Sequence, residues 1–338
     1  MSKQFKNSIQ LNFFDQLKNV APSDVALQDV MCSVLGLSRD SVYRRMRGET
    51  VLSIDEAFAL CKYFKIPLQL LFDSDKNNVT FAYESFGIDN LDIHGYLESI
   101  ISSLQLLKKL PEVHIYFAAE FVPVFHHFEF DEMTAFKFFY WQKSIVNDEK
   151  LAEKKFSFKE SSKTSLNLAK KAFDLYEHIP STEIWNVETI NSTVMQVLYY
   201  WDAGLFSSQK EALLICDQLL QMVKNIQRKA EIGKKAMEKG NAKKKGVAFN
   251  MYASEVMIGN NSVLGVAQDF KISLLTFNTF NSLTTSNTLF CEESKIWMNN
   301  MMKKSMLLSG VSEKQRFQFF QKIIKVIDHL KTKIEKGK

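Results

Sequence analysis

Residues Ser38 to Arg47, SRDSVYRRMR, hold the densest chemistry in the chain, with four arginines inside nine positions. Ser38 is a good N-cap, because its hydroxyl can take a free backbone N–H of a first helical turn. Val42 and Met46 lie four apart and can share an inward face. On an ideal helix Asp40, Ser41, Arg44 and Arg47 then point away from that face. A short helix that buries one side and displays guanidinium groups on the other suits the major groove of a nucleic-acid duplex. Arginine can pair bidentately with the O6/N7 edge of guanine and can also neutralise phosphate.

The flanking residues supply the elements that would hold this helix. Leu27 to Leu35 (LQDVMCSVL) reads as a preceding helix, Gly36 as a turn that tolerates positive φ, and Leu37 as a plug between the two. After Gly48, Ser53 and Glu56 have the spacing of a capping box ahead of Ile54, Ala57, Leu60, Cys61 and Phe64. Pro67 is placed to open a last short helix, PLQLLF, where its missing N–H does no harm. Ile9 to Val20 would form the first helix of the group.

LGLSRDSVYRRMRGE followed by LSIDEAFALCKYFKIPLQLLF resembles the Cro/C1-type (XRE) helix-turn-helix domain of bacterial transcriptional regulators, over roughly residues 9 to 72. The resemblance implies double-stranded DNA as partner. By position it puts base contacts on Arg39, Asp40 and Arg44. Arg47 falls on the backbone-contacting site, with Ser41, Tyr43 and Arg45 as backbone or flanking contacts. The chain departs from the family at Arg45, where an apolar residue is usual. Residues 1–75 carry nine Lys/Arg and nine Asp/Glu, so the domain is close to neutral and positive charge is concentrated in the recognition segment. Weak non-specific binding and reliance on a homodimer follow from that balance.

The whole chain of 338 residues is 46% hydrophobic and 24% charged, with 28 phenylalanines but only five prolines and 12 glycines. Few breakers and many apolar residues favour a soluble, mainly α protein. Its net charge of +5 permits nucleic-acid binding without requiring it. Cys32, Cys61, Cys216 and Cys291 are widely spaced, as for free thiols in a reducing compartment. With no apolar leader or membrane-length run, the expected location is cytoplasmic, with no membrane partner.

Three parts are expected: a helix-turn-helix DNA-binding domain at 1–76, a linker and amphipathic helix at 77–110, and an α-rich effector and oligomerisation domain at 111–338. The fold class read from this is an N-terminal helical bundle followed by a large helical domain with a small antiparallel sheet near 247–280. In the middle part Ile93, Leu97, Ile100, Leu104 and Leu107 have coiled-coil spacing. They suit a dimerisation helix or a helix packed on its own domain. The aromatic run from Tyr116 to Trp141 suits a core more than a ligand pocket. VHIYFAA within it reads equally as strand or helix.

Ser161 or Ser162, Asn186, and the Ser208/Glu211 box would start three helices between 160 and 240. The basic segment 228–246 reads as a solvated helix end and loop more than a contact to DNA phosphate. FNMYASEVMI, SVLGVAQD and KISLLTFNTF read as two or three antiparallel strands, and the Asn/Ser/Thr run from Asn278 to Thr288 as a capped loop more than the lining of a cleft. His114, His126 and His127 lack metal-ligand spacing, and no nucleophile motif or phosphate-cradling loop appears. Neither a metal, a cofactor nor an enzyme activity is therefore expected. The function read from the sequence is a transcriptional regulator whose C-terminal part dimerises and senses a small-molecule or peptide effector. An interaction scaffold and an enzyme built on the C-terminal part are the alternatives.

Overall fold

The computed structural model describes residues 3–20, 27–64, 79–87, 92–235, 246–268 and 270–337. Its contacts divide the chain into two units, Met1–Thr80 and Phe81–Lys338. The expected Pro67 helix and most of the polar break at 73–80 lie outside the described residues.

The first unit holds α1 (Lys3–Val20), α2 (Leu27–Leu35), α3 (Arg39–Met46) and α4 (Ile54–Phe64). Phe13, Phe14 and Leu17 of α1 meet Leu27 and Met31 of α2, Val42 of α3, and Ala57, Leu60 and Cys61 of α4 in one core. Gly36 turns the chain between α2 and α3 at φ +63°, and an added Cβ there would meet nothing within 4 Å. Conformation, not space, is therefore what a side chain would offend.

The second unit corrects the expected fold class. It is an α/β structure built on a nine-stranded mixed sheet, not a mainly α domain with a small antiparallel sheet. In chain order the elements are β1 (Ala82–Glu84), α5 (Ile93–Lys109), β2 (His114–Ala119), α6 (Val124–His127), α7 (Asp131–Tyr140), α8 (Lys163–Glu177) and β3 (Ser181–Trp185). Then follow α9 (Asn191–Asp202), α10 (Gln209–Ile232), β4 (Lys234–Lys235), β5 (Val247–Ala253), β6 (Ser262–Ala267), β7 (Phe270–Phe277) and β8 (Asn281–Thr285). The chain ends with α11 (Thr288–Lys303), β9 (Met306–Leu307) and α12 (Glu313–Glu335). The strand order is β1-β8-β7-β6-β2-β3-β5-β4, with β9 also on β5.

The centre is parallel: β2 pairs β3 and β3 pairs β5 in the same direction, while β6, β7, β8 and β1 add an antiparallel wing. Parallel neighbours need long crossovers, which the helices between β2 and β3 and between β3 and β5 provide. One sheet face (Phe117, Ala119, Trp185, Phe249, Met251) packs under α7, α9, α10 and α12. The other (Ala118, Ile184, Leu264) packs under α11 through Cys291, Met298 and Met301. Three layers result.

β5 accordingly runs parallel to β3, where an antiparallel sheet had been expected, and the polar run near Asn281 is strand β8, not a loop. Asn281 is buried there because its side chain takes the Phe86 N–H (3.1 Å) and reaches Tyr83 Oη (3.1 Å). α5 lays Tyr96, Leu97 and Ile101 against Ala169 and Ala172 of α8, so its apolar stripe is covered inside its own unit. Ser162 and Ser208 cap α8 and α10 as expected. The Glu211 carboxylate, however, goes to Ser157, Phe158 and Ser207 instead of closing a capping box. No helix among the described residues is long and apolar enough to cross a membrane.

Candidate nucleic-acid interface and a buried polar cluster

α3 begins as its sequence dictates. Ser38 sits in extended backbone and its hydroxyl accepts the Ser41 N–H at 3.4 Å. Val42 is fully buried and fixes which side of the helix faces inward. Opposite it, the side chains of Arg39, Asp40, Arg44 and Arg47 are 79, 77, 60 and 56% exposed. Arg39 pairs with Asp29 (2.6 Å), Arg44 with Asp40 (3.3 Å) and Arg47 with Glu49 (3.6 Å). Arg47 also lies 4.1 Å over the Tyr43 ring and donates to the Tyr43 hydroxyl at 2.7 Å. Exposed pairs of this kind are worth about 0–1 kcal/mol, so each guanidinium can exchange a carboxylate for another anion at small cost. The acid partners also account for the near-neutral balance of the unit.

Arg45 is different. Its side chain is only 16% exposed and makes a two-bond pair with Glu56 of α4 at 2.9 and 3.1 Å, with a third bond to the Ser41 carbonyl at 3.2 Å. The same Glu56 accepts the Ser53 N–H (2.9 Å), while its own N–H goes to the Ser53 hydroxyl (3.1 Å), so the capping box closes. Burial pushes the Glu56 carboxyl up, but the bonds from Arg45 and Ser53 outweigh it and hold the group below the usual carboxylate range. At the position where the resembled family has an apolar residue, this chain thus has an ion-paired strut between α3 and α4. Of the seven residues read from the sequence, six stand at or near the outer face of α3, and Arg45 is tied inward.

Gln10 of α1 completes the support, and sequence reasoning passed over it. It is buried, donates to the carbonyls of Arg45 (2.6 Å) and Thr50 (2.8 Å), and accepts the Leu52 N–H (3.0 Å). One amide therefore satisfies three backbone groups of the segment joining α3 to α4. A glutamine on the apolar stripe of α1, between Ile9 and Phe13, is the signal that marks it.

The second unit contains a polar cluster that the sequence did not announce. Glu183 of β3 is fully buried at the middle of the sheet. Tyr176 donates to it at 2.6 Å and Trp185 Nε1 at 2.8 Å, and His126 Nε2 lies 2.9 and 3.0 Å from its two oxygens. Burial pushes this carboxyl up, but His126, Tyr176 and Lys235 together bring it down to about 2. Lys235 of β4 is 1% exposed, with Nζ 3.5 Å from the centre of the Tyr176 ring and no hydrogen-bond partner among the described residues. Burial lowers it to about 7. The reading of 228–246 as solvated is corrected here: Lys235 is inside, and Lys229 pairs with Glu177 at 2.9 Å. The rest of that segment, 236–245, lies outside the described residues.

His127 bonds Thr193 (3.0 Å) and Lys137 bonds Gln196 (2.7 Å) in the same layer. No group of histidine, cysteine or acidic side chains among the described residues is arranged to hold a metal. The cluster joins α6, α8, β3 and β4, and its carboxylate is saturated by protein donors, which suits holding elements together. All four cysteines are free thiols. No protein-family model, curated protein or solved structure matches the chain.

Proposed function

We propose that the protein is a sequence-specific DNA-binding transcriptional regulator, with the first unit reading the duplex and the second dimerising and receiving a signal. The observation that carries this reading is the two-sidedness of α3. Val42 is wholly buried, while Arg39, Asp40, Arg44 and Arg47 face solvent on a helix held from behind by Arg45–Glu56 and Gln10. In the proposed complex α3 lies in the major groove, Arg44 and Arg39 meet base edges with Asp40, and Arg47 with Tyr43 and Ser41 meets the backbone. Arg45 contributes by fixing the helix. The resemblance to Cro/C1-type domains supports the same assignment, and a cytoplasmic location goes with it.

With equal numbers of acidic and basic residues in residues 1–75, a single head has little non-specific attraction for DNA, so affinity comes from two heads on a two-fold site. The test is an anisotropy titration of the full chain against duplexes it selects from a random pool. Arg44→Ala should weaken the selected site by about 1–3 kcal/mol and relax preference at one position. Arg47→Ala should weaken all sequences evenly and reduce the salt slope by about 1. If neither substitution alters binding, or the full chain selects nothing, the reading fails.

A further inference from the structure

On the sheet face opposite the polar cluster, α11 and strands β6 and β7 leave an open groove of about 400 Å³, lined by Leu275, Phe290, Glu293, Trp297 and residues 259–260. Its lining is mostly apolar with a few polar groups at the rim. Trp297 remains 40% exposed beside it, an unusual place to leave an indole.

The polar groups at its rim are free. Ser262, Glu293 and Ser294 make no intramolecular side-chain hydrogen bond or ion pair among the described residues, nor does Asn260. Ser262 is 7% exposed overall, and its hydroxyl lines the groove without a protein partner. Neighbouring Glu292, by contrast, is engaged with Lys271 at 2.6 Å. Glu293 is therefore the one charged group of the lining without a counter-ion.

We infer that this groove binds a small organic amine with a flat apolar body, the body lying between Trp297, Phe290 and Leu275 and the ammonium group donating to Glu293. Ser262 and Ser294 are placed to accept or donate to further polar atoms of the ligand. A single uncompensated carboxylate over an apolar floor selects a cation with an apolar body over a carboxylic acid of the same shape. The inference goes beyond the DNA-binding reading and does not depend on it, since its test contains no DNA.

The experiment uses the full chain labelled with fluorotryptophan, whose four tryptophans (Trp141, Trp185, Trp201, Trp297) give separate fluorine resonances, with Trp297 assigned by Trp297→Phe. Phenethylamine is the probe, and phenethyl alcohol is its neutral counterpart. A fragment of about nine heavy atoms should bind at millimolar concentration. The Trp297 resonance is expected to move saturably with the amine while those of buried Trp141 and Trp185 stay. Glu293→Gln should weaken the amine about tenfold and leave the alcohol unchanged. Ser294→Phe, which puts a ring into the groove, should abolish both, with the Trp141 and Trp185 resonances reporting an intact fold. A Trp297 resonance indifferent to the amine, wild-type affinity in Glu293→Gln, or undiminished binding in Ser294→Phe would each overturn the assignment.

Discussion

Replacing Arg45 by methionine keeps an unbranched apolar stem and removes the guanidinium and its charge, leaving Glu56 half-buried without its partner. The pair sits between two regimes. An exposed ion pair is worth about 0–1 kcal/mol, whereas breaking a fully buried one costs about 3–5 kcal/mol. With the two side chains 16 and 21% exposed and two contacts near 3 Å, the expected cost is about 2 kcal/mol. Hydrogen exchange on the full chain reads that cost locally, without requiring the two units to unfold together. Amides of α3 and α4 should exchange about 30-fold faster, since 1.4 kcal/mol is a factor of ten, while those of the second unit should not change.

The double variant Arg45→Met/Glu56→Gln keeps a capping side chain on Ser53 and strands no charge. It should therefore lose less than the sum of the single variants, with a coupling of about 1–2 kcal/mol. Glu56 is held below the usual carboxylate range, so the contribution is complete above the unfolded value of about 4.3 and is lost as pH falls below it. Unchanged protection in Arg45→Met, together with a loss of DNA affinity, would show that Arg45 faces the duplex, and the strut argument would be wrong.

Gln10→Leu strands the Leu52 N–H and the Thr50 carbonyl and leaves the Arg45 carbonyl with only the Gly48 N–H; protection of the segment joining α3 and α4 should fall by about 2 kcal/mol, checked by the same exchange measurement. Glu183→Gln removes the buried carboxylate that Tyr176 and Trp185 donate to and that His126 pairs with, and should destabilise the second unit by about 3–5 kcal/mol, read by tryptophan fluorescence during urea unfolding. In the parent protein the Glu183 carboxyl is depressed to about 2, so its contribution stands above the unfolded carboxylate value near 4.3 and drains as pH falls toward 2. Lys235 and Lys137 are both lowered to about 7, so the unfolded chain binds more protons than the folded one between there and the free lysine value near 10.4. Stability of the second unit should rise over that interval, and Lys235→Met should reduce the rise, with a larger gain at pH 7 than at pH 10; equal pH profiles for the two proteins would refute this.

Local chemistry was legible in the order of residues. Ser38, Gly36, and the Ser53/Glu56 box predict the turn and both helix starts around α3, because a cap or a turn is settled by groups within four positions of one another. Val42 likewise predicts which side of α3 is buried. Arg45 was not legible as a strut, since its partner Glu56 lies one helix away and only packing of α3 on α4 brings the two together. The Asn278–Thr288 run misled for a related reason. Asparagine, serine and threonine favour loops until a neighbouring strand supplies hydrogen bonds, and β7 and β1 supply them here.

The second unit shows where local signals end. STEIW is five residues long, polar at three of them, and has no pattern that separates it from a connection between helices. It is nonetheless the buried centre of the sheet, because β2 and β5 hydrogen-bond it on both edges and helices cover its faces. The helix starts at Ser38, Ser53, Ser162 and Ser208, the buried side of α3 and the free state of the thiols were contained in the chain's own order, whereas the start expected at Asn186 falls at Asn191. The parallel sheet, the Glu183 cluster and the inward turn of Arg45 and Lys235 arise from pairings between separate elements, as far as 68 residues apart. Their energy comes from desolvation and from partners that only the folded chain brings within reach.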